Sequence, residues 1–195
     1  RPGETIALLG GSGTGKSVTL KAILGLLPAT AGSVRIDGVD VLAEPAARAS
    51  EARARIGMLF QGGALFDSLS IWENIGFRLL HAEGLSRAES RDRALEMLDA
   101  VGLDRALADR RPADLSGGQQ KRAGLARALA AEPEVLFFDE PTTGLDPLSA
   151  GRIDALMAET VDRTGATAVM ITHDLASVRR VCQRVAFLWE GEIGL

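Results

Sequence analysis

The feature that most constrains this chain is an apolar segment that leads into a glycine-rich loop and then into a helical pattern. Residues 6–9 are continuously apolar, which is typical of a short buried strand. Residues 10–17 follow at once and are rich in glycine, and residues 17–27 place apolar side chains at largely helical spacing. A strand, a tight turn and a helix in this order form the first half of a βαβ unit. The pattern therefore predicts an α/β fold with a mostly parallel core sheet flanked by helices.

The glycine-rich loop, Gly-Gly-Ser-Gly-Thr-Gly-Lys-Ser, fits the phosphate-binding pattern G-x-x-x-x-G-K-[ST] of a P-loop. Its glycines let the backbone wrap closely enough for successive N–H groups to point at phosphate oxygens. We expect Lys16 to neutralise the β- and γ-phosphates of a nucleotide and the Ser17 hydroxyl to bind Mg²⁺. A chance glycine turn is the alternative, and the position between a strand and a helix argues against it. The expected nucleotide contacts here are Gly10, Gly11, Ser12, Gly13, Thr14, Gly15, Lys16, Ser17 and Val18.

A second apolar segment ends in two carboxylates. Residues 135–138 are continuously apolar, as expected for a strand of a parallel sheet covered on both faces, and Asp139 and Glu140 follow. A carboxylate at the carboxyl end of such a strand can reach Mg²⁺ directly or through water. Glu140 can orient or deprotonate the attacking water. Taken alone, an acidic pair after a strand is more often a helix cap or a solvated turn, but beside a phosphate-binding loop it favours catalysis.

A further glycine-rich turn occupies residues 115–119, Leu-Ser-Gly-Gly-Gln. A serine N-cap opening a helix behind two glycines can also hold a phosphate. The alternative is a simple helix cap. One P-loop enzyme has no need of two such turns, unless the second serves a nucleotide bound to a neighbouring copy.

The rest of the chain predicts one α/β domain, residues 1–195, with a helical subdomain at about residues 68–131. Asp146-Pro147 is a good helix start, and Gly165 is the expected stop of that helix. Glu190-Gly191 is expected to form a hairpin turn. Other predicted elements are a helix after Pro45 and strands at residues 34–38, 56–60, 168–171 and 185–189.

Composition excludes several classes of function. The formal charge of −4 argues against a general nucleic-acid binder. Cys182 is the single cysteine, so the chain cannot form an internal disulfide, and a small apolar filler is the expected role. No apolar run is long enough to span a bilayer and no signal peptide opens the sequence, so a membrane role is expected to come through a partner. We expect both termini to be incomplete relative to the natural protein.

In this order, the motifs resemble those of the ATP-binding domains of ABC transporters, over about residues 3–193. Residues 10–17 match the Walker A loop, residues 115–119 the LSGGQ signature and residues 135–140 Walker B with its catalytic glutamate. The remaining matches are Gln61 to the Q-loop glutamine, Gly144-Leu145-Asp146 to the D-loop and His173 to the switch histidine. Taken singly, Gln61 and His173 would more often be ordinary polar loop residues.

The resemblance implies a head-to-tail pair of such domains, with each ATP held between the P-loop of one copy and the signature of the other. Its implied catalytic residues are Lys16, Gln61, Glu140 and His173, and its implied Mg²⁺ ligands are Ser17, Gln61 and Asp139. The implied ATP contacts from the other motifs are Ser116, Gly117, Gly118 and Asp146. The implied partners are a second copy and transmembrane permease subunits, which would place the protein on the cytoplasmic face of the inner membrane.

The sequence departs from the family pattern at two places. An aromatic side chain that stacks on adenine normally lies on a strand upstream of the P-loop, whereas the first aromatic residue here is Phe60. The D-loop has Thr143-Gly144 where Ser-Ala is commoner. The second change is mild, and we expect it to leave activity intact.

The segment after Gln61 suggests a subfamily. Residues 61–74 resemble the Mce/Mla-type lipid-transport ATPases, in which the glutamine is followed by a small-residue pair and then Ala-Leu-Phe, and residues 142–147 agree. That resemblance implies phospholipid or related hydrophobic cargo, although the apolar side chains of the segment could simply form core. The alternatives are an amino-acid or osmolyte importer, a non-transport ABC ATPase, and a regulatory module that binds ATP without turning it over.

Overall fold

The computed structural model describes residues 3–11 and 13–194. Its main sheet consists of β1 (Thr5–Leu9), β4 (Ile56–Leu59), β5 (Val135–Asp139), β6 (Thr167–Ile171), β7 (Arg184–Trp189) and β8 (Glu192–Gly194). The strand order is β4-β5-β6-β1-β7-β8, and within this sheet the described pairs are parallel except β7–β8. The predicted α/β fold with a mostly parallel sheet is therefore confirmed.

Helices cover both faces of the sheet, and a small separate hairpin pairs β2 (Arg35–Ile36) with β3 (Val39–Asp40). The predicted helical region at residues 68–131 contains four α-helices between Ile71 and Leu129, and its status as a subdomain stays a prediction. The helices are α1 (Lys16–Ile23), α2 (Ala46–Arg53), α3 (Ile71–Ile75), α4 (Phe77–His81), α5 (Arg87–Ala100), α6 (Gly117–Leu129), α7 (Pro147–Thr164) and α8 (Leu175–Val181). None of the helices described is both long enough and apolar enough to cross a membrane.

Strand β5 shows why the core has two layers. Leu136 and Phe138 point into a cluster formed with α3, α5, α6 and α7, whereas Phe137 points into a second cluster with β1 and α1. All three side chains are buried. A strand buried on both faces has to be apolar at successive positions, which is the pattern that residues 135–138 show.

Helix α1 is shorter than the sequence predicts. The apolar spacing suggested a helix to residue 27, but α1 ends at Ile23 because Gly25 adopts a φ of +74°. The amide of Gly25 donates to Ala22 O at 3.0 Å and the amide of Leu26 to Lys21 O at 2.8 Å, which is the Schellman arrangement. The prediction was wrong because it followed apolar spacing past a glycine stop.

Both ends of α7 were predicted correctly. Asp146 accepts hydrogen bonds from the amides of Leu148 and Ser149, both at 3.0 Å, and Pro147 occupies the first helical position. Gly165 ends the helix with a φ of +66°. Both termini follow from local chemistry that the sequence displays.

Strand register brings the motifs to one edge of the sheet. Ile171 of β6 pairs with Leu8 of β1 on one side and with Asp139 of β5 on the other. The loop after β1, the acidic pair that ends β5 and the turn after β6 therefore leave the sheet side by side. Ligands of open parallel sheets bind at this carboxyl edge.

Candidate active site

The P-loop is shaped by glycines that cannot be replaced. Gly13 and Gly15 have φ values of +79° and +102°, which favour glycine. A Cβ on Gly10 would lie 2.7 Å from Leu188 O, so the loop packs backbone to backbone against β7. Ser12, one of the predicted nucleotide contacts, lies outside the described residues. The loop ends at Gly15, the N-cap of α1, and therefore presents a helix N-terminus to the site.

Lys16 lies over this loop. Its Nζ donates to Gly10 O and Gly11 O, both at 2.8 Å. These carbonyl oxygens are neutral and therefore weaker acceptors than a phosphate. A bound nucleotide can accordingly accept the hydrogen bonds of the Lys16 ammonium without disturbing the core. Ser17 and Val18 are exposed in the first turn of α1, where a bound nucleotide could reach them.

The electrostatics of Asp139 suit a cation. Partial burial raises the pKa of this carboxyl above its usual range, and the negative charge of Glu140 adds to the effect. The positive charges of Lys21 and Lys16 oppose the shift. A desolvated carboxylate beside a second acid is stabilised by a nearby divalent ion.

Glu140 is held in place by its backbone and by two side chains. It has a φ of +48°, and its amide donates to Ile171 O at 2.8 Å. Its carboxylate accepts from Thr143 Oγ1 at 2.8 Å and lies 2.9 Å from His173 Nδ1. A left-handed conformation at a residue other than glycine costs about 1–3 kcal/mol and persists only where the surroundings enforce it.

The structure thus joins two residues that the sequence singled out separately. Glu140 and His173 are 33 positions apart and meet because β5 and β6 are neighbours. The His173 side chain is 70% exposed and that of Glu140 is 17% exposed, so the histidine covers the glutamate from the solvent side. A cleft lined by Thr142, Thr143 and residues 173–176 opens beside the pair.

Gln61 is not part of this contact. It is exposed at the turn after β4, and no hydrogen bond described for the chain joins its side chain to Glu140 or His173. The turn packs instead against α6 at Gly63, which has a φ of +85°. A Cβ placed on Gly63 would lie 2.8 Å from Gln120 O. The roles predicted for Gln61 in catalysis and Mg²⁺ binding stay predictions.

The signature turn faces outward. Ser116 caps α6 in a reciprocal arrangement, since its amide donates to Gln119 Oε1 at 2.8 Å and its hydroxyl accepts from the Gln119 amide at 3.3 Å. A Cβ on Gly118 would meet nothing within 4 Å. Asp146 is engaged in capping α7, so its predicted contact with ATP would add to that role.

Sequence reasoning missed three side chains around the site. The Thr143 hydroxyl donates to the Glu140 carboxylate, and Lys121 donates to the backbone that follows Glu140. Arg127 donates to Gly63 O at 3.0 Å and to Ala64 O at 2.9 Å. One signal was available for Lys121. It shares the apolar face of α6 with Leu125 and Ala128, where a lysine is costly unless its ammonium finds acceptors.

A second cleft lies away from this chemistry. It has a volume of about 860 Å³ and is formed at the amino ends of β4, β5 and β6. Its charges are largely paired, because Arg55 contacts Glu134 and Asp37, and Arg93 contacts Glu132. The position of this cleft makes it a poor candidate for the nucleotide site.

Comparison with known proteins gives the same assignment as the motifs. Residues 1–143 match the family model described as ABC transporter. The chain is 41% identical to the methionine import ATP-binding protein MetN of Carboxydothermus hydrogenoformans, over 99% of this chain and 57% of that protein. It is 39% identical to the glutamate/aspartate import ATP-binding protein GltL of Escherichia coli K12, over 99% of this chain and 79% of that protein.

Solved structures agree. The dimeric, post-hydrolysis structure of the ATP-binding cassette MJ0796 bound to ADP and Pi superposes with a TM-score of 0.88 at 34% identity. The match covers 100% of this chain and 85% of that one, whereas the chain spans only 57% of the length of the methionine relative. The chain therefore belongs to the ABC transporter family and has its P-loop α/β fold.

Proposed function

We propose that this chain is the ATPase subunit of an ABC importer for amino acids and that it powers transport through ATP-driven closure of a dimer. The observation that carries the ATPase assignment is the Glu140–His173 pair, held 2.9 Å apart at the sheet edge that also carries the P-loop. A carboxylate fixed there can accept a proton from water, and a histidine beside it can contact the γ-phosphate. The loop itself supplies the phosphate contacts.

The residues present fit Mg²⁺. Ser17 and Asp139 offer oxygen donors at the mouth of the loop, and Mg²⁺ prefers one or two such ligands together with phosphate oxygens. When bound, the ion would neutralise charge on the transferring phosphoryl group. Lys16 would leave the carbonyls of Gly10 and Gly11 for the β- and γ-phosphates, and Glu140 would orient the attacking water.

The amino-acid assignment rests on the relatives, whose names refer to import of methionine and of glutamate and aspartate. Neither name refers to lipid, so these relatives do not support the lipid cargo expected from residues 61–74. The structure also gives that segment another explanation. Gly63 must be small because it packs on Gln120 O, and Phe66 has its ring centroid 4.8 Å from that of Phe77.

Two partners complete the proposal. A second copy would bind head to tail, as the dimeric state of the MJ0796 relative suggests. A permease would dock near the exposed rings of Phe66 and Phe77. The His81 ring adjoins this patch, with its centroid 4.6 Å from that of Phe77. Membrane association at the cytoplasmic face would then come through the permease alone.

ATP turnover is the first test. Lys16→Ala should reduce turnover to background while the protein stays folded, because this side chain lies on the loop surface rather than in the core. Arg48→Ala is the matched control, since it removes one cation from the exposed α2 and should leave turnover unchanged. Near-normal turnover of Lys16→Ala would contradict the site assignment, and binding without any wild-type turnover would favour a regulatory module.

The second test identifies the transported substrate. The protein and its co-purified permease should be reconstituted in vesicles and supplied with labelled methionine, glutamate or phospholipid. ATP-dependent uptake of an amino acid would support the proposal. Movement of phospholipid alone would restore the lipid assignment, and stable ATPase activity without any permease partner would favour a non-transport ABC ATPase.

A further inference from the structure

Lys121 is a buried cation that the proposed chemistry does not use. It lies on α6, five positions after Ser116, and is only 4% exposed. Its Nζ donates to Pro141 O at 2.8 Å and to Thr143 O at 2.6 Å. Burial lowers the pKa of Lys121, and the negative charge of Glu140 acts in the opposite direction. A buried ammonium is costly, so these contacts have to offset a real desolvation penalty.

The two acceptors belong to the turn that carries Glu140. The turn is irregular, because Glu140 and Gly144 have φ values of +48° and +81°. Within it, the Thr143 amide donates to Glu140 O at 3.3 Å and the Leu145 amide to Thr142 O at 3.2 Å. The carbonyls of Pro141 and Thr143 take their hydrogen bonds from Lys121. The lysine therefore completes the hydrogen bonding of the turn that fixes Glu140.

Thr143 extends this connection to the reacting group. Its carbonyl accepts from Lys121 and its hydroxyl donates to Glu140 Oε2 at 2.8 Å. A continuous path thus runs from the helix of the signature turn, through Lys121 and Thr143, to the Glu140 carboxylate. We therefore expect a movement of α6 to shift Lys121, Thr143 and the Glu140 carboxylate.

We propose that Lys121 is a positioning residue that couples the two nucleotide sites of the dimer. The inference rests on the proposed function, in which Ser116 to Gly118 contact ATP on the partner copy and Glu140 acts on ATP in its own chain. Docking of the signature turn on the partner's nucleotide then adjusts, through Lys121, the placement of Glu140 at the other site. The ligand sensed is a nucleoside triphosphate held by a second copy of this chain.

The test replaces Lys121 by methionine, which keeps the length of the side chain and removes the donors. Lys121→Met should lower turnover at least about tenfold, since small misplacements of a catalytic group have effects of this size. Affinity for ATP at the unaltered P-loop should stay within about threefold. The Hill coefficient for ATP should fall towards one from a wild-type value that can approach the number of coupled sites. Lys121→Gln, which keeps an amide donor, should restore part of the turnover and of the cooperativity.

Arg122→Met is the control on the same helix, because Arg122 donates to Gly102 O away from the turn. It should keep turnover and Hill coefficient near wild type. Lys121→Met with wild-type values of both would overturn the coupling role and leave the proposed function intact. Absence of turnover in the wild-type protein would instead refute the proposed function, and the inference with it.

If Lys121→Met does not fold, hydrogen exchange of the wild-type protein tests the proposal instead. In the wild-type protein, the amides of residues 117–121 and 142–145 should become protected together when ATP is trapped without hydrolysis. Protection of the signature turn alone would overturn the proposal.

Discussion

Glu140 shows how much of the site depends on one backbone conformation. A glutamate at a φ of +48° is strained, and the strain is maintained by the hydrogen bond from the Glu140 amide to Ile171 O and by the turn that follows. The carboxylate consequently points towards His173 and Thr143. The proposed role of Glu140 gives a reason for this backbone strain, because the carboxylate has to face the attacking water beside the P-loop.

Glu140→Gln should abolish turnover while ATP still binds. The amide keeps the shape and hydrogen-bonding reach of the carboxylate but cannot accept the proton, so the rate should fall about 10²–10⁴-fold. Turnover assays and calorimetric titration with ATP measure the two effects. Glu190→Gln is a suitable control because Glu190 also has a positive φ, +50°, but lies in the turn after β7. A rate within a few-fold of wild type in Glu140→Gln would exclude Glu140 as the base.

Residues in contiguous motifs could be predicted from the sequence, whereas residues that support them through space could not. Lys16, Glu140 and His173 stand at fixed places after apolar strands, so a linear pattern finds them. Thr143 was treated only as a mild departure from the family, and Lys121 was not singled out. Its acceptors lie 20 and 22 positions further along the chain. The local pattern of α6 indicates that Lys121 needs acceptors, but it does not identify them.

At the scale of elements, α6 and the turn after β4 form one packed unit. The backbone of Gly63 lies against α6, and a Cβ on Gly124 would come within 2.9 Å of Gly63 Cα and 3.1 Å of Leu59 Cδ1. Arg127 secures the same turn by donating to Gly63 O and Ala64 O, and burial lowers its pKa. The signature helix and the turn carrying Gln61 are therefore tightly packed against each other.

Gly124→Ala should destabilise the protein even though alanine is the better helix former. The methyl group has no space, and overpacking costs about 1–3 kcal/mol, which outweighs a propensity gain of at most about 1 kcal/mol. Gly151→Ala on α7 is the matched control, since a Cβ there meets nothing within 4 Å and should stabilise the fold. Urea denaturation of both variants gives the comparison. Equal stabilisation by the two changes would mean that the contact with Gly63 is not tight.

The start of α3 is stabilised by a charged capping box. Glu73 accepts from Ser70 N at 2.9 Å and from Ser70 Oγ at 2.7 Å, and Arg87 donates to it at 2.8 Å. These contacts lower the pKa of Glu73 to about 2, with the backbone bond from Ser70 as the largest cause. A pKa lowered by folding stabilises the protein above the unfolded value of 4.5, and this contribution is lost as the pH falls through about 2.

Glu73→Gln should therefore destabilise the protein at pH 7, by about 1–3 kcal/mol, because hydrogen bonds to a charged group are lost. The difference from wild type should shrink between pH 4.5 and pH 2 as wild-type Glu73 becomes protonated. Thermal unfolding at several pH values tests this. Glu89→Gln, at an exposed capping box on α5, should change stability less. A difference that stays constant with pH would contradict the assigned pKa.

Element prediction succeeded where local chemistry decides the boundary. Asp146, Pro147 and Gly165 define α7, and the Glu190-Gly191 turn joins β7 to β8 as expected. The end of α1 was predicted too late because Gly25 was not read as a stop. Helix α8 and strand β3 were not predicted. Both are short, and β3 contributes only Val39 and Asp40, whose place depends on pairing with β2.

At the scale of the whole molecule, the P-loop and the signature turn are separate features of one chain. The P-loop adjoins Asp139 and Glu140 at the carboxyl edge of the sheet, whereas Ser116, Gly117 and Gly118 open α6 towards solvent. The signature turn is preorganised by the capping box that starts α6, and it faces solvent. A second copy that supplies a nucleotide is the simplest occupant. The family assignment and the parallel sheet could be predicted from the sequence, but this outward orientation needed the structure.

The dimer can be tested by combining two substitutions. Glu140→Gln should accumulate as an ATP-bound dimer, because closure occurs and hydrolysis cannot release it. Adding Ser116→Arg should abolish that dimer without blocking ATP binding at the P-loop of the same chain, since the bulky side chain projects from an exposed cap towards the partner. Light scattering with and without Mg-ATP reports the mass, and a fluorescent ATP analogue reports binding. Ser86→Arg, at the exposed cap of α5, should leave the dimer intact. Loss of nucleotide binding by a Ser116→Arg monomer would show that the signature turn serves its own chain, and the head-to-tail arrangement would then be wrong.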